Sequence, residues 1–295
     1  MSSAPDAPAV AAGPEWVIEP RQYGIWHRLR EFWAYRRLWW YFAADTLTSL
    51  YRRSPLGWLW ILMRVAGPIG LSAIIFGGVL QVSSGTIPYF LFFLCGTTTW
   101  MLFERSLIVI TRSVEQNRRL ITKIYFPRLI LPTSAVAIAA LYLTLLLIVM
   151  IGTSIYFHRR DGIWYIPLRP RLLVAVGAVL LSLIFAVAVG LWTSVLQARY
   201  RDVRYGIRYF LPFWFYLTPV IYPLSRILER VPDRWHWVVS LNPMVTVVEA
   251  FKWGTLGEGT LQPGSVAISL ALIGATLASG LWFFIREEAA SIDKL

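Results

Sequence analysis

Long apolar stretches alternate with short arginine-rich segments along the chain. A helix needs about 20 apolar residues to cross the hydrocarbon core of a bilayer. Residues 65–103 carry no charge and are too long for one crossing, and a turn signal rich in Ser, Gly and Pro at 81–88 divides them. The pattern predicts an all-α polytopic membrane protein with six transmembrane helices, at about 57–80, 88–111, 129–157, 172–196, 209–225 and 263–285.

The fifth of these helices is expected to be short and broken. It contains Pro212, Pro219 and Pro223, and proline in a helix interior removes a backbone donor and clashes with the preceding turn. Between the fifth and sixth helices, residues 235–248 are apolar but too few to span. We therefore expect a re-entrant or interfacial segment before the sixth helix.

The region before the first span divides in two. Residues 1–15 are rich in Ala, Pro and Ser and lack the features of a signal peptide, so they are expected to form a disordered tail. Residues 16–55 hold five tryptophans among seven arginines, with the tryptophans at helical spacing. This pattern is typical of an amphipathic helix lying in the membrane interface. The remaining divisions are a transmembrane domain and a tail, at 56–285 and 286–295.

Composition excludes an ordinary soluble protein. Hydrophobic residues make up 57% of the chain and charged residues 15%, against roughly 45–50% and 25% in globular proteins. The 28 basic and 16 acidic residues give a net charge of +12. In a membrane protein this excess indicates cytoplasmic loops held at an anionic leaflet rather than a nucleic-acid partner. With the N-terminus inside, 18 cations lie in cytoplasmic segments and 8 outside, so both termini are predicted to be cytoplasmic.

The sequence offers little support for enzymatic chemistry. None of Lys123, Lys252 and Lys294 has the glycine before it and the Ser or Thr after it that a P-loop requires. The three histidines are far apart and show no metal-ligand spacing. We therefore predict no catalytic residue, no metal site and no cofactor in this chain. If it pumps, another polypeptide hydrolyses the ATP.

Charged and aromatic residues within the predicted spans are candidates for a transport path. Arg64, Glu104 and Arg105 lie near enough to an interface to snorkel or to pair with each other, and the alternative is that they line a polar path. Aromatic rings in the broken fifth span can stack on sugars or form interface belts. The predicted channel-lining residues are Phe103, Glu104, Arg105, Phe213, Trp214 and Tyr216.

The segment between the second and third predicted spans is polar at its start and amphipathic at its end. One interpretation is a simple tethering loop with positive-inside charges. The other is a short cytoplasmic helix that docks into a groove on a soluble partner. In that case the exposed apolar side chains would be Leu120, Ile121, Ile124 and Phe126.

Five segments, in order, resemble type-2 ABC transporter permeases of the polysaccharide and polyol-phosphate exporter branch. They are residues 51–60 (YRRSPLGWLW), 117–128 (NRRLITKIYFPR), 201–204 (RDVR), 216–223 (YLTPVIYP) and 241–244 (LNPM). The resemblance covers about 16–285. Two positions depart from the family pattern, Arg64 in place of a neutral polar residue and Lys252 in place of the commoner arginine.

The resemblance implies a homodimer that pairs with two copies of a separate P-loop ATPase subunit, which holds ATP and Mg²⁺. It also implies export of a lipid-linked glycan, such as an O-antigen, capsule, teichoic acid or galactan precursor, across the bacterial inner membrane. The residues implied to contact the ATPase subunit are Asn117, Arg119, Leu120, Ile121, Lys123, Ile124, Tyr125, Phe126 and Arg128. Candidates to attract the pyrophosphate of the lipid are Arg36, Arg37, Arg52, Arg53 and Arg64.

Other functions remain open at this point. The same permease type could move a drug, a lipid or another small molecule. An integral membrane enzyme would need paired carboxylates at the membrane surface, and Asp161, Asp202 and Asp233 are scattered. A channel or scaffold would have no ATPase partner.

Overall fold

A computed structural model describes residues 25–49, 57–79, 81, 86–121 and 123–290 of the protein. Within these ranges every regular element is helical. The helices are α1 Ile25–Ala34, α2 Arg36–Ser49, α3 Gly57–Ser72, α4 Tyr89–Gln116, α5 Arg118–Ile121, α6 Ile130–Ala135, α7 Ile138–Asp161, α8 Leu172–Arg199, α9 Asp202–Leu217, α10 Leu224–Arg230, α11 His236–Ser240, α12 Pro243–Leu256 and α13 Pro263–Ala290. A π-helical stretch at Ala73–Val79 continues α3, and a 3₁₀ turn at Asp233–Trp235 precedes α11.

Four of the described helical segments are long and apolar enough to cross a membrane, at Tyr89–Gln116, Ile130–Asp161, Leu172–Arg199 and Pro263–Glu287. They overlap the second, third, fourth and sixth spans expected from the sequence. The helices at the first and fifth expected positions, α3 and α9, have 16 residues each. For the residues that the structure describes, the prediction of an all-α fold is confirmed, and four long apolar helices agree with a membrane protein.

Helix α4 lies at the centre of the bundle and is buried by α7, α8 and α12. Ser182 on α8 donates a hydrogen bond of 2.9 Å to the Thr99 carbonyl on α4, and Gln197, about half a helix further along α8, donates to Glu115, about half a helix further along α4. These contacts show that α4 and α8 run parallel. Helix α13 is parallel to α8 as well, since its Ser279 accepts from Trp192 Nε1 at 3.3 Å and its Glu287, further along α13, accepts from Arg199, further along α8.

Helix α7 runs antiparallel to α4. Arg105, in the second half of α4, lies over the ring of Tyr142 near the start of α7, with 5.7 Å between the guanidinium carbon and the ring centroid. Thr98, in the first half of α4, contacts Met150 further along α7. The carboxyl ends of α4, α8 and α13 therefore share one end of the bundle with the start of α7. We call this the α2 end, because α2 packs there against α6.

A glycine permits the closest approach of α4 and α8. A Cβ atom added at Gly190 would overlap the side chain of Ile110, which is itself fully buried. Small residues at such crossings allow two membrane helices to pack backbone against side chain. A larger residue at position 190 must therefore push the two central helices apart.

Gly190→Leu should sharply lower the yield of folded protein, because overpacking a tight core costs about 1–3 kcal/mol and leucine adds four carbons here. Gly177→Leu on the same helix is the matched control, since a Cβ at Gly177 meets nothing within 4 Å. The readout is the monodisperse fraction after gentle detergent extraction. Equal fractions for the two variants would contradict this packing argument.

Helix α12 is the short segment that precedes the last span. Its 14 residues begin at an N-cap, Asn242, whose side chain accepts from the Met244 N–H at 3.1 Å, with Pro243 in the first turn. The helix ends at Gly257, which has a φ of +80°. At 1.5 Å per residue such a helix is too short to cross a bilayer. It is nevertheless buried along almost its whole length against α4, α8 and α13.

Candidate functional site

The α2 end carries an apolar cluster that joins three parts of the chain. Phe42 on α2, Phe126 in the segment after α4, and Ile130 and Leu131 on α6 are buried against one another. The rings of Phe42 and Phe126 have their centroids 5.9 Å apart. Because α6 leads directly into α7, this cluster ties α2 to the transmembrane bundle.

The expectation that the Phe126 side chain is exposed is wrong. Only 4% of its surface is exposed, since α2 covers it. The two residues before it point outward instead, with Ile124 58% and Tyr125 71% exposed. The Tyr125 hydroxyl donates to Glu31 on α1 at 3.2 Å. Phe126 therefore anchors the segment, and Ile124 and Tyr125 are presented at its surface.

The other residues of this segment divide between surface and interior. Asn117 follows the last turn of α4, and its side chain donates to the Ser113 carbonyl at 2.8 Å. Ile121 packs against the Phe126 cluster and is half-buried, so it is less exposed than expected. Arg128 is half-buried as well. The exposed members are Arg119, Leu120 and Lys123.

The structure describes two of the five arginines named from sequence as pyrophosphate candidates. Arg36 and Arg37 begin α2 and are exposed. Arg52 and Arg53 lie outside the described residues, as do the tail at 1–15 and the last five residues of the chain. Arg64 lies on α3, but its side chain is outside the described part of the structure.

A cavity of about 320 Å³ opens near the α2 end, between α4, α7, α8 and α9. Glu104 and Arg105 line it, in agreement with the possibility that they face a polar path. Its other polar lining residues are Thr111, Arg112, Gln197, Arg204 and Arg208. Arg204 and Arg208 lie in the first half of α9, although the sequence suggested only that they belong to a charged cytoplasmic loop.

The aromatic residues named as path-lining candidates separate into two groups. Phe103 is fully buried and Trp214 is half-buried, because both belong to an aromatic cluster that packs α9 on α4 and α8. Phe103 stacks on Phe185 with centroids 5.2 Å apart. The expectation that Phe103 lines a path is therefore wrong for this structure. Phe213 and Tyr216 are exposed on the opposite side of α9.

Asn242 connects this aromatic cluster to α12. Its Oδ1 accepts from Trp214 Nε1 at 3.0 Å as well as from the Met244 N–H, and its Nδ2 donates to Thr218 Oγ1 at 3.1 Å. The side chain thus caps α12 and fixes the end of α9 at the same time. These bonds give the LNPM segment a physical role that the sequence did not reveal.

A buried ion pair lies on α12. Lys252 is 1% exposed, and its Nζ donates to the Pro219 carbonyl at 2.5 Å and lies 3.5 Å from Glu249 Oε1. The same ammonium sits 3.8 Å from the centroid of the Phe92 ring on α4. Glu249 Oε2 accepts from the Thr260 N–H at 3.1 Å. Sequence reasoning missed this pair, although an acid and a base three residues apart in an apolar helix is a usable signal.

Comparison with known proteins places these features in a family. A family model described as "ABC-2 type transporter" matches residues 20–256. A relative from Myxococcus xanthus, named O-antigen export system permease protein RfbA, is 28% identical over 267 residues, covering 89% of this chain and 97% of that protein.

Two relatives from Klebsiella pneumoniae bear the same name. One is 28% identical over 248 residues, covering 80% of this chain and 89% of that protein. The other is 26% identical over 206 residues, covering 68% and 73%. The matched family region runs from before α1 to the end of α12, and it includes the Phe126 cluster, the cavity and the buried ion pair. The chain belongs to the ABC-2 type transporter family of membrane permeases.

Proposed function

We propose that this chain is the permease of an ATP-driven exporter that moves a lipid-linked polysaccharide of the O-antigen kind across the bacterial inner membrane. Two copies would form a homodimer and bind two copies of a separate nucleotide-binding subunit, where ATP and Mg²⁺ are held. The substrate class is supported by the shared name of three relatives, whose similarity extends over 68–89% of this chain.

The observation that carries the proposal is the exposed Ile124 held beside the buried Phe126. A partner that presses on Ile124 acts on a segment clamped between α2 and α6, so its movement reaches α7 and, through Asn117, the end of α4. The expected cytoplasmic helix is only the single turn α5, and Ile124 follows it in an irregular stretch. Exposed apolar side chains on an anchored segment suit docking into an apolar groove of a partner. The contact residues proposed for the ATPase subunit are Asn117, Arg119, Leu120, Ile121, Lys123, Ile124, Tyr125 and Arg128.

The proposed topology has six spans, with α3 and α9 as the short first and fifth. The parallel direction of α4, α8 and α13, with α7 antiparallel, is the arrangement that consecutive membrane crossings produce. The arginine-rich α2 end would face the cytoplasm, as the positive-inside rule requires. Both termini would then be cytoplasmic, α1 and α2 would lie in the interface, and α12 would be the re-entrant element.

The exposed aromatic side of α9 is the proposed lining of the path. Phe213 and Tyr216 lie one turn apart there. Aromatic faces can pack on the apolar faces of sugars, and a second copy of α9 would enclose a path between the two chains. Trp214 and Asn242 would hold this side of α9 in place from behind.

Deletion of the gene in its host bacterium tests the proposal. We expect long surface polysaccharide to disappear and its lipid-linked precursor to accumulate inside the cell, with both effects reversed by a plasmid copy. Electrophoresis of envelope polysaccharide and extraction of the lipid fraction measure the two pools. Unchanged surface polysaccharide, or a defect limited to drug resistance, would contradict the proposed substrate class.

A further inference from the structure

The cavity between α4 and α9 has more positive charge than the described structure neutralises. Four of its lining residues are arginines, Arg105, Arg112, Arg204 and Arg208, and Glu104 is the one acidic residue among the described lining residues. None of the four makes an ion pair within 4.0 Å with a described carboxylate. The nearby Glu115 carboxylate accepts a hydrogen bond from the neutral Gln197 amide and keeps its negative charge beside Arg112. The four arginines therefore face two carboxylates, and the cavity retains two net positive charges.

The four guanidinium groups approach the cavity from two helices. Arg204 and Arg208 are electrostatic neighbours of Arg112 across the gap between α9 and α4. Arg105 lies deeper, and its Nε atom is buried without a hydrogen-bond partner among the described residues. Like charges brought together around an open space raise the free energy of the empty site. An anion in the cavity would relieve that repulsion and supply the acceptor that Arg105 lacks.

The volume of the cavity and its apolar lining residues restrict the kind of anion that can bind there. The cavity holds roughly ten water volumes of about 30 Å³, which is ample for two linked phosphate groups. Its apolar lining residues, Ile108, Val109, Ile138, Ile207 and Leu211, adjoin the arginines. A free phosphate would gain nothing from that apolar wall. A phosphate group attached to a hydrocarbon chain would contact both the arginines and the apolar residues.

We propose that this cavity binds a diphosphate group attached to a hydrocarbon chain, at the cytoplasmic end of the permease. This inference rests on the proposed function and gives its substrate a docking site. Planar guanidinium groups bind phosphate oxygens in bidentate fashion. Two net positive charges match a diphosphate diester, with about two negative charges, better than a phospholipid phosphodiester with one. The site differs from the interface arginines Arg36 and Arg37, which lie on α2.

Binding of geranylgeranyl diphosphate to the purified full-length chain in phosphatidylcholine nanodiscs tests the assignment. We expect saturable binding that geranylgeraniol, which lacks the phosphates, does not compete for. The double variant Arg112→Gln, Arg208→Gln should weaken binding at least about tenfold. Arg226→Gln, an exposed arginine on α10 outside the cavity, should leave it unchanged. Arg208→Gln alone removes an exposed side chain, so it tests the site without endangering the fold, and should weaken binding about threefold or more.

Two results would overturn the assignment. One is equal affinity of the wild type and both cavity variants for geranylgeranyl diphosphate. The other is displacement of that probe by phosphatidylglycerol as readily as by unlabelled probe, since the cavity would then bind anionic headgroups in general. Gene deletion separates this proposal from the function. Export lost on deletion together with unaltered binding by the variants refutes the site alone, whereas normal export after deletion refutes the function.

Discussion

Replacing Lys252 by methionine should cost the folded protein about 3–5 kcal/mol, because removing one partner of a buried ion pair leaves the other charge uncompensated. Glu249 would lose its cation, and the Pro219 carbonyl would lose its donor. Since Lys252 also contacts Phe92, the variant loosens α12 from both α4 and the end of α9. Fluorescence-detected size exclusion after a heating series should show a much lower midpoint for loss of the monodisperse peak.

The double variant Lys252→Met, Glu249→Gln tests whether the uncompensated charge of Glu249 causes the loss of stability. It removes both charges and keeps side chains of similar volume, so it should recover a substantial part of the lost thermal stability. If Lys252→Met alone is as stable as the wild type, the ion pair does not hold α12 in place. If the double variant is less stable than Lys252→Met alone, the loss of charge compensation does not explain the lower stability of the single variant.

Replacing Leu120 and Ile124 by aspartate should abolish recovery of a P-loop ATPase with this chain. Both side chains are exposed, and two carboxylates in an apolar groove would each be desolvated without a partner. Interface anchors of this kind typically contribute more than 2 kcal/mol, which corresponds to a loss of about thirtyfold or more in affinity. The measurement is the ratio of ATPase to permease after gentle detergent purification.

Ile163→Asp provides the matched control for this prediction. Ile163 lies in the connection between α7 and α8, at the opposite end of the bundle, and is 55% exposed. The change adds one carboxylate, where the double variant adds two, at an exposure close to that of Ile124, so it should leave the ratio of ATPase to permease near that of the wild type. An ATPase that remains bound to the Leu120, Ile124 variant would show that the segment after α4 is not the docking surface.

The positions of the long helices were predictable because each depends on the combined hydropathy of many residues rather than on any single one. Four of the expected spans coincide with long apolar helices, since a run of about 20 apolar residues has few alternatives to a membrane helix. The prolines also predicted an early end for the helix at the fifth expected position, and α9 ends at Leu217, two residues before Pro219. The position of the segment before the sixth span was less accurate. The sequence indicated 235–248, whereas the long buried helix there is Pro243–Leu256.

Side-chain positions were less predictable because they depend on partners remote in sequence. Phe126 resembles Ile124 in its local pattern, but Phe126 is buried against Phe42 on α2 whereas Ile124 is exposed. The sequence suggested that Phe103 lines a transport path, but in the structure Phe185 and Trp214 pack against it. The sequence did not indicate the cluster of cavity arginines, because its members also come from remote parts of the chain. Arg112 and Arg208 belong to different basic segments, and only the packing of α9 on α4 brings them together.

ATP-dependent movement of lipid-linked polysaccharide into inside-out membrane vesicles tests the central claim most directly. The vesicles contain this chain and its ATP-binding subunit, and a glycosidase added outside degrades whatever polymer has not entered. We expect polymer to become protected when ATP is supplied and to remain degradable with a non-hydrolysable ATP analogue. Protection that does not depend on ATP, or ATP hydrolysis with no protection, would contradict the exporter account.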